Sequence, residues 1–465
     1  MKIKIHILLL TLAVSVSGCS DFLDKSPELN LTDTDIYTSA ERMDGAVKGV
    51  YTQIKEDFIG AKAFACVENI GDDMINVSGN GYEALASYEM SVGMETQDNY
   101  ESWEGAYTAI NSANTVMAEI EAHKETAGNK YDQYISELKF CRALCYYYLN
   151  MLYAQPYLID PQAKSVPLRL QAESGLENND LARSTVTEVF NQILEDTKDY
   201  ANLPASGGSY AGITRASQGA ALMLRMRAYM GMDNWDEAIK AGEAVQGYAL
   251  ATGAASPFKS SSDCVESIFS FPMSSTNMGG GMQSSVPYFF YSGNSLVVDA
   301  TSGIHSPLYP DYNLSQDERI SVLVGTANER TILKKFTDGQ TYLDWVPIFR
   351  YAETLLNLAE CYAMKGLDEQ AVDALSKVRH RSIPETDDPL EVEALHGDAL
   401  KQAVYLERRA EFIGEMIRAI DIHRRGEDFV KRKGTSNEFT VTPTTNGYIW
   451  PIPTVERANN HLITD

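Results

Sequence analysis

Residues 347–426 have the sequence PIFRYAETLLNLAECYAMKGLDEQAVDALSKVRHRSIPETDDPLEVEALHGDALKQAVYLERRAEFIGEMIRAIDIHRRG, and this stretch decides the fold. Apolar side chains recur in it every three or four residues, which is the spacing of one face of an α-helix. Gly366 separates the first two apolar sets and permits a tight turn between two helices. The sets are Ala352, Leu355, Leu356, Ala359, Tyr362 and Ala363, and then Ala371, Ala374, Leu375 and Val378.

The same stretch has the spacing of a tetratricopeptide repeat, in which two antiparallel helices pack closely. Ala359 and Ala371 are small, which allows the two helices to approach each other. Residues 217–248 repeat this spacing. The matching residues are Leu358, Ala359, Tyr362, Ala371, Leu375 and Val378 in the first segment, and Tyr229, Trp235, Ala238 and Val245 in the second. We predict a mainly α fold in which tetratricopeptide-like helix pairs form a platform.

A third helix is predicted after the first pair, because one apolar seam continues along it without a break. The seam consists of Ala399, Ala403, Leu406, Ala410, Ile413, Ile417 and Ile420. Helices are also predicted over 38–54, from residue 103 onward, and over 137–153 and 185–203. Residues 58–100 lose the helical period and contain turn-forming residues, so we expect loops there.

Residues 251–345 differ from the rest of the chain, because they are rich in Gly, Ser, Pro and aromatic residues and have little helical period. Residues 267–271 alternate as a β-strand does. A run this long without regular structure is usually functional in a compact protein. We therefore predict an irregular ligand-binding insertion of loops and short strands at 251–345, between platform segments at 35–250 and 346–465.

The first residues have the pattern of a cleaved export signal. Lys2 and Lys4 precede a short apolar run at 7–16, which is too short to span a bilayer as a permanent helix. Ser17-Gly18-Cys19 follows and resembles a bacterial lipobox. We predict a signal peptide at 1–18, a lipidated Cys19 and a tether at 19–34, followed by a single domain at 35–465. The alternative is an ordinary secretory signal with an incidental cysteine.

Charge and motif content exclude several classes of function. The formal net charge of −25 argues against nucleic-acid binding, which needs a basic surface. No metalloprotease motif, nucleophile elbow or phosphate loop is present. Asp72 and Asp73 form only a weak metal signal, and no cofactor is expected. The cysteines other than Cys19 have no zinc-ligand spacing, so we predict buried free thiols.

Glu407 and Glu411 lie one helical turn apart, and a carboxylate pair of this kind raises the question of glycosidase chemistry. Glycosidase carboxylates flank a sugar in a cleft. The two glutamates are instead interleaved with Arg408, Arg409 and Arg418. We predict that they take part in internal ion pairing between helices and that the protein is not an enzyme.

Several motifs in sequence order resemble the SusD-like (RagB/SusD) family of surface glycan-binding lipoproteins. One departure is Met416, where the family usually has glycine, and it bears on a local helix contact. The motifs are Arg350-Tyr351-Ala352-Glu353, Leu355-Leu356-Asn357, Ala359-Glu360, Glu407-Arg408-Arg409, Glu411-Phe412, Glu415, Arg418, Asp421, Arg424-Arg425, and Trp450-Pro451-Ile452-Pro453 with Glu456.

This resemblance implies capture of a glycan and its delivery to a partner TonB-dependent transporter (SusC-like), without hydrolysis. It also implies anchoring in outer-membrane lipid through Cys19, with the protein facing the cell exterior. Acidic residues just after Cys19 resemble the surface-export signal of Bacteroidota lipoproteins. Two alternatives remain open: a peptide-binding homologue with the same fold, and a surface hydrolase.

Aromatic residues in glycine-rich loops are the candidate ligand contacts, because aromatic faces pack well against the C–H faces of sugar rings. In the family the ligand lies on loops from two parts of the chain. The resemblance thus places Asp73, Asn80 and Tyr82 opposite a second set, which consists of Tyr288, Phe289, Phe290 and Tyr291. The alternative for the second set is a satellite hydrophobic cluster under a long loop.

Replacement of Cys19 tests the predicted anchor. The variant Cys19→Ala should leave the membrane fraction, because it cannot receive the acyl chains that would insert into the bilayer. Fractionation of cells fed labelled fatty acid measures both location and lipidation. A variant that stays in the membrane and still takes up label would contradict a lipid anchor at this residue.

Overall fold

Helices dominate the computed structural model, which describes residues 36–60, 62–78, 84–175, 179–205, 210–259, 264–275, 285–291, 296–298, 317–432 and 435–463. Residues 1–35 lie outside this set, so the predicted signal, Cys19 and the tether stay predictions. Within the described residues no helix is both long enough and apolar enough to cross a bilayer.

The chain up to Asp196 contains seven α-helices among its described residues. Ser39 begins the first by accepting a hydrogen bond from the Arg42 backbone N–H, and Thr185 begins the seventh with a capping box to Glu188. The first and fourth helices pack on each other and on the sixth. The seven are α1 (Ala40–Asp57), α2 (Lys62–Ile70), α3 (Leu85–Tyr88), α4 (Gln97–Ala122), α5 (Lys124–Ala127), α6 (Tyr131–Tyr153) and α7 (Val186–Asp196).

The remaining described helices include the predicted repeat pairs. They are α8 (Tyr210–Ile213), α9 (Gln218–Gly231), α10 (Trp235–Glu243), α11 (Ser256–Lys259), α12 (Val286–Tyr291), α13 (Glu318–Leu323), α14 (Tyr351–Met364), α15 (Asp368–Ser382), α16 (Gly397–Phe412), α17 (Ile417–Arg424) and α18 (Thr454–Asn459). α9 pairs with α10 and α14 with α15, and α10 packs on α14, so the two pairs stack. Ala359 and Ala371 are fully buried, and Gly366 turns the chain with a φ of 71°. The tetratricopeptide-like platform is confirmed.

Short strands in the described residues form four antiparallel two-stranded sheets. The strands are β1 (Met74–Asn76), β2 (Ser267–Phe271), β3 (Leu296–Val298), β4 (Val324–Ala327), β5 (Arg330–Leu333), β6 (Val346–Arg350), β7 (Phe429–Lys431) and β8 (Phe439–Val441). The pairs are β1–β3, β2–β6, β4–β5 and β7–β8. The strand predicted at 267–271 is confirmed. It is fully buried and pairs with β6, which leads directly into α14.

The predicted unbroken third helix is wrong, because the chain turns between α16 and α17. Gly414 has a φ of 78° and Met416 a φ of 67°, and neither value is compatible with a right-handed helix. The apolar spacing nevertheless continues across the break, from α16 into α17. Glycine adopts the left-handed backbone found at Met416 without strain. This gives a physical reason for the glycine that the family named above usually has at this position.

The loops expected over 58–100 are interrupted by α2. Every residue from Ala63 to Ile70 is buried, so this helix has no polar face from which a period could be recognised. The helix predicted over 185–203 ends early, at Asp196. Cys66, Cys141, Cys145, Cys264 and Cys361 are buried free thiols, as predicted.

Arg350 lies at the centre of a buried ion network that joins β6 to α16. Its guanidinium donates to Glu415 at 2.7 Å, Glu266 at 2.7 Å and Glu411 at 2.6 Å. Burial opposes the charge of Glu411, but the neighbouring arginines, Arg381 first among them, outweigh it and hold its pKa well below the usual range. Glu411 therefore keeps its negative charge in the interior.

The internal ion pairing predicted for Glu407 and Glu411 is confirmed, and their partners lie on other elements. Glu407 accepts hydrogen bonds from Arg319 at 2.6 Å and from Arg379 at 2.8 Å. Arg408 pairs instead with Asp421, at 2.8 Å. Glutamates four residues apart share one face of α16, whereas the adjacent arginines project from other faces toward other elements.

Removal of Arg350 tests how much this network contributes to the stability of the fold. Arg350→Met should lower the free energy of unfolding by about 3–5 kcal/mol, because it leaves buried carboxylates without their cation. Lys377→Ala removes an exposed pair with Asp373 and serves as control, with an expected change below about 1 kcal/mol. Urea unfolding at neutral pH measures both. Equal effects of the two variants would contradict a structural role for the network.

Candidate ligand-binding face

The sheet formed by β1 and β3 brings together the two parts of the chain that were predicted to meet the ligand. Met74 pairs with Val298 and Asn76 with Leu296. Asn80 and Tyr82 follow β1 by a few residues, and α12 precedes β3 by a few. Asn80, Tyr82 and the side chain of Tyr291 lie outside the described residues, so their place at the site stays a prediction.

Asp73 is buried rather than open to a ligand. Its carboxylate accepts from the Arg409 guanidinium at 2.5 Å, and burial raises its pKa. Asp72 pairs with Arg418 at 2.6 Å, and although burial opposes its charge, Arg418 and Arg409 hold its pKa low. The expectation that Asp73 faces the ligand is corrected, because the residue anchors the start of β1 to α16.

Phe289 and Phe290 are core residues and not loop aromatics. Residues 286–291 form the helix α12, and both phenylalanine rings are fully buried. Phe290 packs on Phe336 with ring centroids 5.3 Å apart. The expectation that these two rings face a ligand is corrected: for them the alternative of a hydrophobic cluster describes the structure.

Within the predicted aromatic set, Tyr288 is the described side chain that is only partly buried. Its ring lies 6.0 Å from that of Tyr342, which is also half-buried, at an interplanar angle of 57°. Tyr342 has a φ of 56°, a left-handed conformation that is strained for an aromatic residue. Strain of this kind persists only where the surrounding structure enforces it, and it is enriched at functional sites.

Two aspartates hold the loop at 337–345 that carries Tyr342. The Asp338 carboxylate accepts backbone N–H groups of Gln340, Thr341 and Leu343. Partial burial opposes its charge, but these hydrogen bonds prevail and lower its pKa. Asp344 accepts the backbone N–H groups of Thr337 at 2.6 Å and Asp338 at 2.7 Å. The loop therefore presents Tyr342 in a fixed position.

Sequence reasoning missed Tyr342 and the neighbouring half-buried Trp345. Both lie in the segment TYLDW at 341–345, which has no periodicity and directly precedes the buried strand β6. The signal that was available is the Asp338-Gly339 pair, because Asp-Gly marks a turn and places the following aromatic residues on a loop.

The face formed by α12, the β1–β3 sheet and the 337–345 loop offers aromatic surface with polar backbone nearby. A half-buried ring can pack on the apolar side of a ligand while its hydroxyl meets polar groups. Among the described residues no cluster of His, Cys, Asp and Glu has the arrangement of a metal site. The half-buried rings of this face can make noncovalent contacts with a ligand.

Two family descriptions match most of the chain between them. Residues 21–230 match a SusD-like family described as "Starch-binding associating with outer membrane". Residues 312–465 match the SusD family.

A solved structure of a SusD superfamily protein from Bacteroides fragilis is 46% identical to this chain. The similarity covers 93% of this chain and 100% of that one, with a TM-score of 0.89. A SusD-like carbohydrate binding protein from Bacteroides vulgatus shares the fold at 20% identity, with a TM-score of 0.73 over 91% of this chain and 97% of its own. The curated "SusD-like protein P25" of Formosa agariphila is 26% identical over 50% of this chain, and the match spans 44% of that relative's length.

Proposed function

The chain belongs to the SusD family, and on this basis we propose that it is a cell-surface lipoprotein that binds glycans and delivers them to a SusC-like, TonB-dependent outer-membrane transporter. The family description that names starch binding and the outer membrane supports the glycan and the location. A relative of the same fold that is named a carbohydrate-binding protein supports the ligand class. Lipid at Cys19 would hold the protein at the membrane.

The binding proposal rests on the Tyr288–Tyr342 ring pair. Both rings are half-buried, and the residues that pack against them or hold their backbone fix their positions. Tyr288 stands on α12 above the buried Phe289, and the aspartates of the 337–345 loop fix Tyr342. Preformed aromatic surface binds a sugar ring with little loss of side-chain freedom. Asn80 and Tyr82, next along the chain from β1, would complete the face.

Capture without hydrolysis is favoured over a surface hydrolase. Glu407 and Glu411 are both buried, and Arg319 donates to each of them. A glycosidase needs a carboxylic acid and a carboxylate on either side of an open sugar site. Neither glutamate meets that requirement, so the family's binding role is the better account.

Ring removal at the face tests the proposal. Tyr288→Ala and Tyr342→Gly should each weaken glycan binding by about 1–3 kcal/mol, the scale of one lost aromatic stack borrowed from base stacking. Tyr342→Gly should not lower the melting temperature, because glycine relieves the left-handed backbone strain. Tyr288→Phe keeps the ring and is the matched control. Affinity electrophoresis against a panel of polysaccharides measures binding, and thermal unfolding measures stability.

Two results would contradict the proposal. Retention of full affinity in both Tyr288→Ala and Tyr342→Gly would remove the ring pair from the site. Binding of peptides by the wild-type protein, with no retardation by any polysaccharide and no release of reducing sugar, would favour the peptide-binding alternative. Release of reducing sugar would favour the hydrolase.

A further inference from the structure

One face of α4 is flanked by two clefts that share none of the residues of the proposed ligand-binding face. The larger cleft has a volume of about 610 Å³ and the smaller about 460 Å³. Both volumes fall in the range of small-molecule binding sites, roughly 300–1,000 Å³. Tyr100, Glu104 and Thr108 line both clefts. Their spacing of four residues places them in one row along α4, so the clefts are two halves of a groove across this row.

The larger half has an aromatic wall. Trp103 and Tyr107 pack with ring centroids 4.7 Å apart, and the ring of Tyr100 is 43% exposed beside them. The Trp103 indole N–H donates to Glu456 at 3.4 Å, and the Tyr107 hydroxyl donates to the Pro167 carbonyl at 2.8 Å. The wall is therefore rigid, and Tyr100 stands out from it as an exposed ring at the centre of the groove.

Polar groups on the far side of the larger half are also fixed. The Arg169 guanidinium donates to both carboxylate oxygens of Glu173, at 2.8 and 3.0 Å, and to Glu456 at 3.2 Å. It also donates to the Asn179 backbone carbonyl at 2.9 Å. Asn179 also lines the cleft, close to this clamp. Planar amide and guanidinium groups opposite an aromatic ring match the hydroxyls and the C–H face of a sugar.

The smaller half carries an excess of negative charge. Of its described lining residues, four are carboxylates and one is a cation, Lys62, which pairs with Glu101 at 3.2 Å and with the buried Asp98 at 3.2 Å. The carboxylates are Glu56, Asp57, Glu101 and Glu104. The wall is fixed at Gly105, where a Cβ atom would lie 1.9 Å from the Asp57 carbonyl oxygen. Carboxylates accept hydrogen bonds from sugar hydroxyls but repel anionic sugars.

We propose that this groove is a second carbohydrate-binding site, which takes a neutral oligosaccharide chain lying across Tyr100. The inference rests on the proposed function, and it adds a ligand class, because the acidic half excludes uronate-containing and sulfated chains. Two separate sites on one protein raise the avidity for a long polysaccharide without any new contact at either site. The groove thus extends capture beyond the Tyr288–Tyr342 face.

Removal of the Tyr100 ring in a background whose first site is weakened by Tyr342→Gly tests the groove. The probes are soluble starch, laminarin and mannan as neutral polysaccharides and polygalacturonate as an acidic one, each cast into native gels. The variant Tyr342→Gly should remain retarded by a neutral probe that retards the wild type. Adding Tyr100→Ala should weaken this residual binding about tenfold, whereas adding Tyr100→Phe should preserve it. Equal melting temperatures exclude unfolding as the cause.

Several results of this experiment would contradict the inference. Loss of all retardation in Tyr342→Gly alone, or equal binding with Tyr100→Ala and Tyr100→Phe, overturns the second site and leaves the proposed function intact. Retardation by polygalacturonate that depends on Tyr100 overturns the assignment of a neutral ligand. A wild-type protein that none of the four probes retards overturns the second site as well as glycan capture.

Discussion

The contact between the Arg350 guanidinium and the carboxylates of Glu411, Glu415 and Glu266 is the constraint on which the rest of the structure depends. Moving a charge out of water costs several kcal/mol unless charged or hydrogen-bonding partners surround it. Few other arrangements of these side chains would therefore be stable. Arg350 ends β6 and leads into α14, and its partners lie on α16, in the turn after α16 and beside β2. The network therefore fixes the aromatic-rich part of the chain against the helical platform.

Helix α16 extends this constraint to the proposed ligand-binding face. Arg409 on α16 holds Asp73, which leads into β1, and β1 pairs with β3 close to α12. Just after α16, the backbone N–H groups of Gly414 and Met416 donate to the Glu68 carboxylate at 3.0 and 2.7 Å. Burial raises the pKa of Glu68 to about 7. The ring pair is thus presented by segments whose positions are set by buried charges.

The helical platform could be predicted because the apolar residues of α9, α10, α14 and α15 keep the helical period, even though α9 and α14 are buried on most sides. α2 could not be, because it is buried on all sides and shows no period. The break at Gly414 and Met416 is hidden because apolar spacing continues through it. The partners of Glu407 and Glu411 could not be predicted, because sequence spacing reports neighbours on one helix, whereas these ion pairs join different elements. Phe289 and Phe290 were taken for exposed residues because their flanks are rich in Gly and Ser, although α12 buries them.

Hydrogen–deuterium exchange of the wild-type protein, with and without the polysaccharide that it binds most tightly, tests the central claim most directly. Amide exchange reports which backbone segments a ligand stabilises. The account predicts slower exchange in peptides that cover 286–291 and 337–345, which form one face, and in peptides that cover 79–83, which are proposed to complete it. Binding that leaves all three segments unchanged, with protection confined to other parts of the chain, would contradict it.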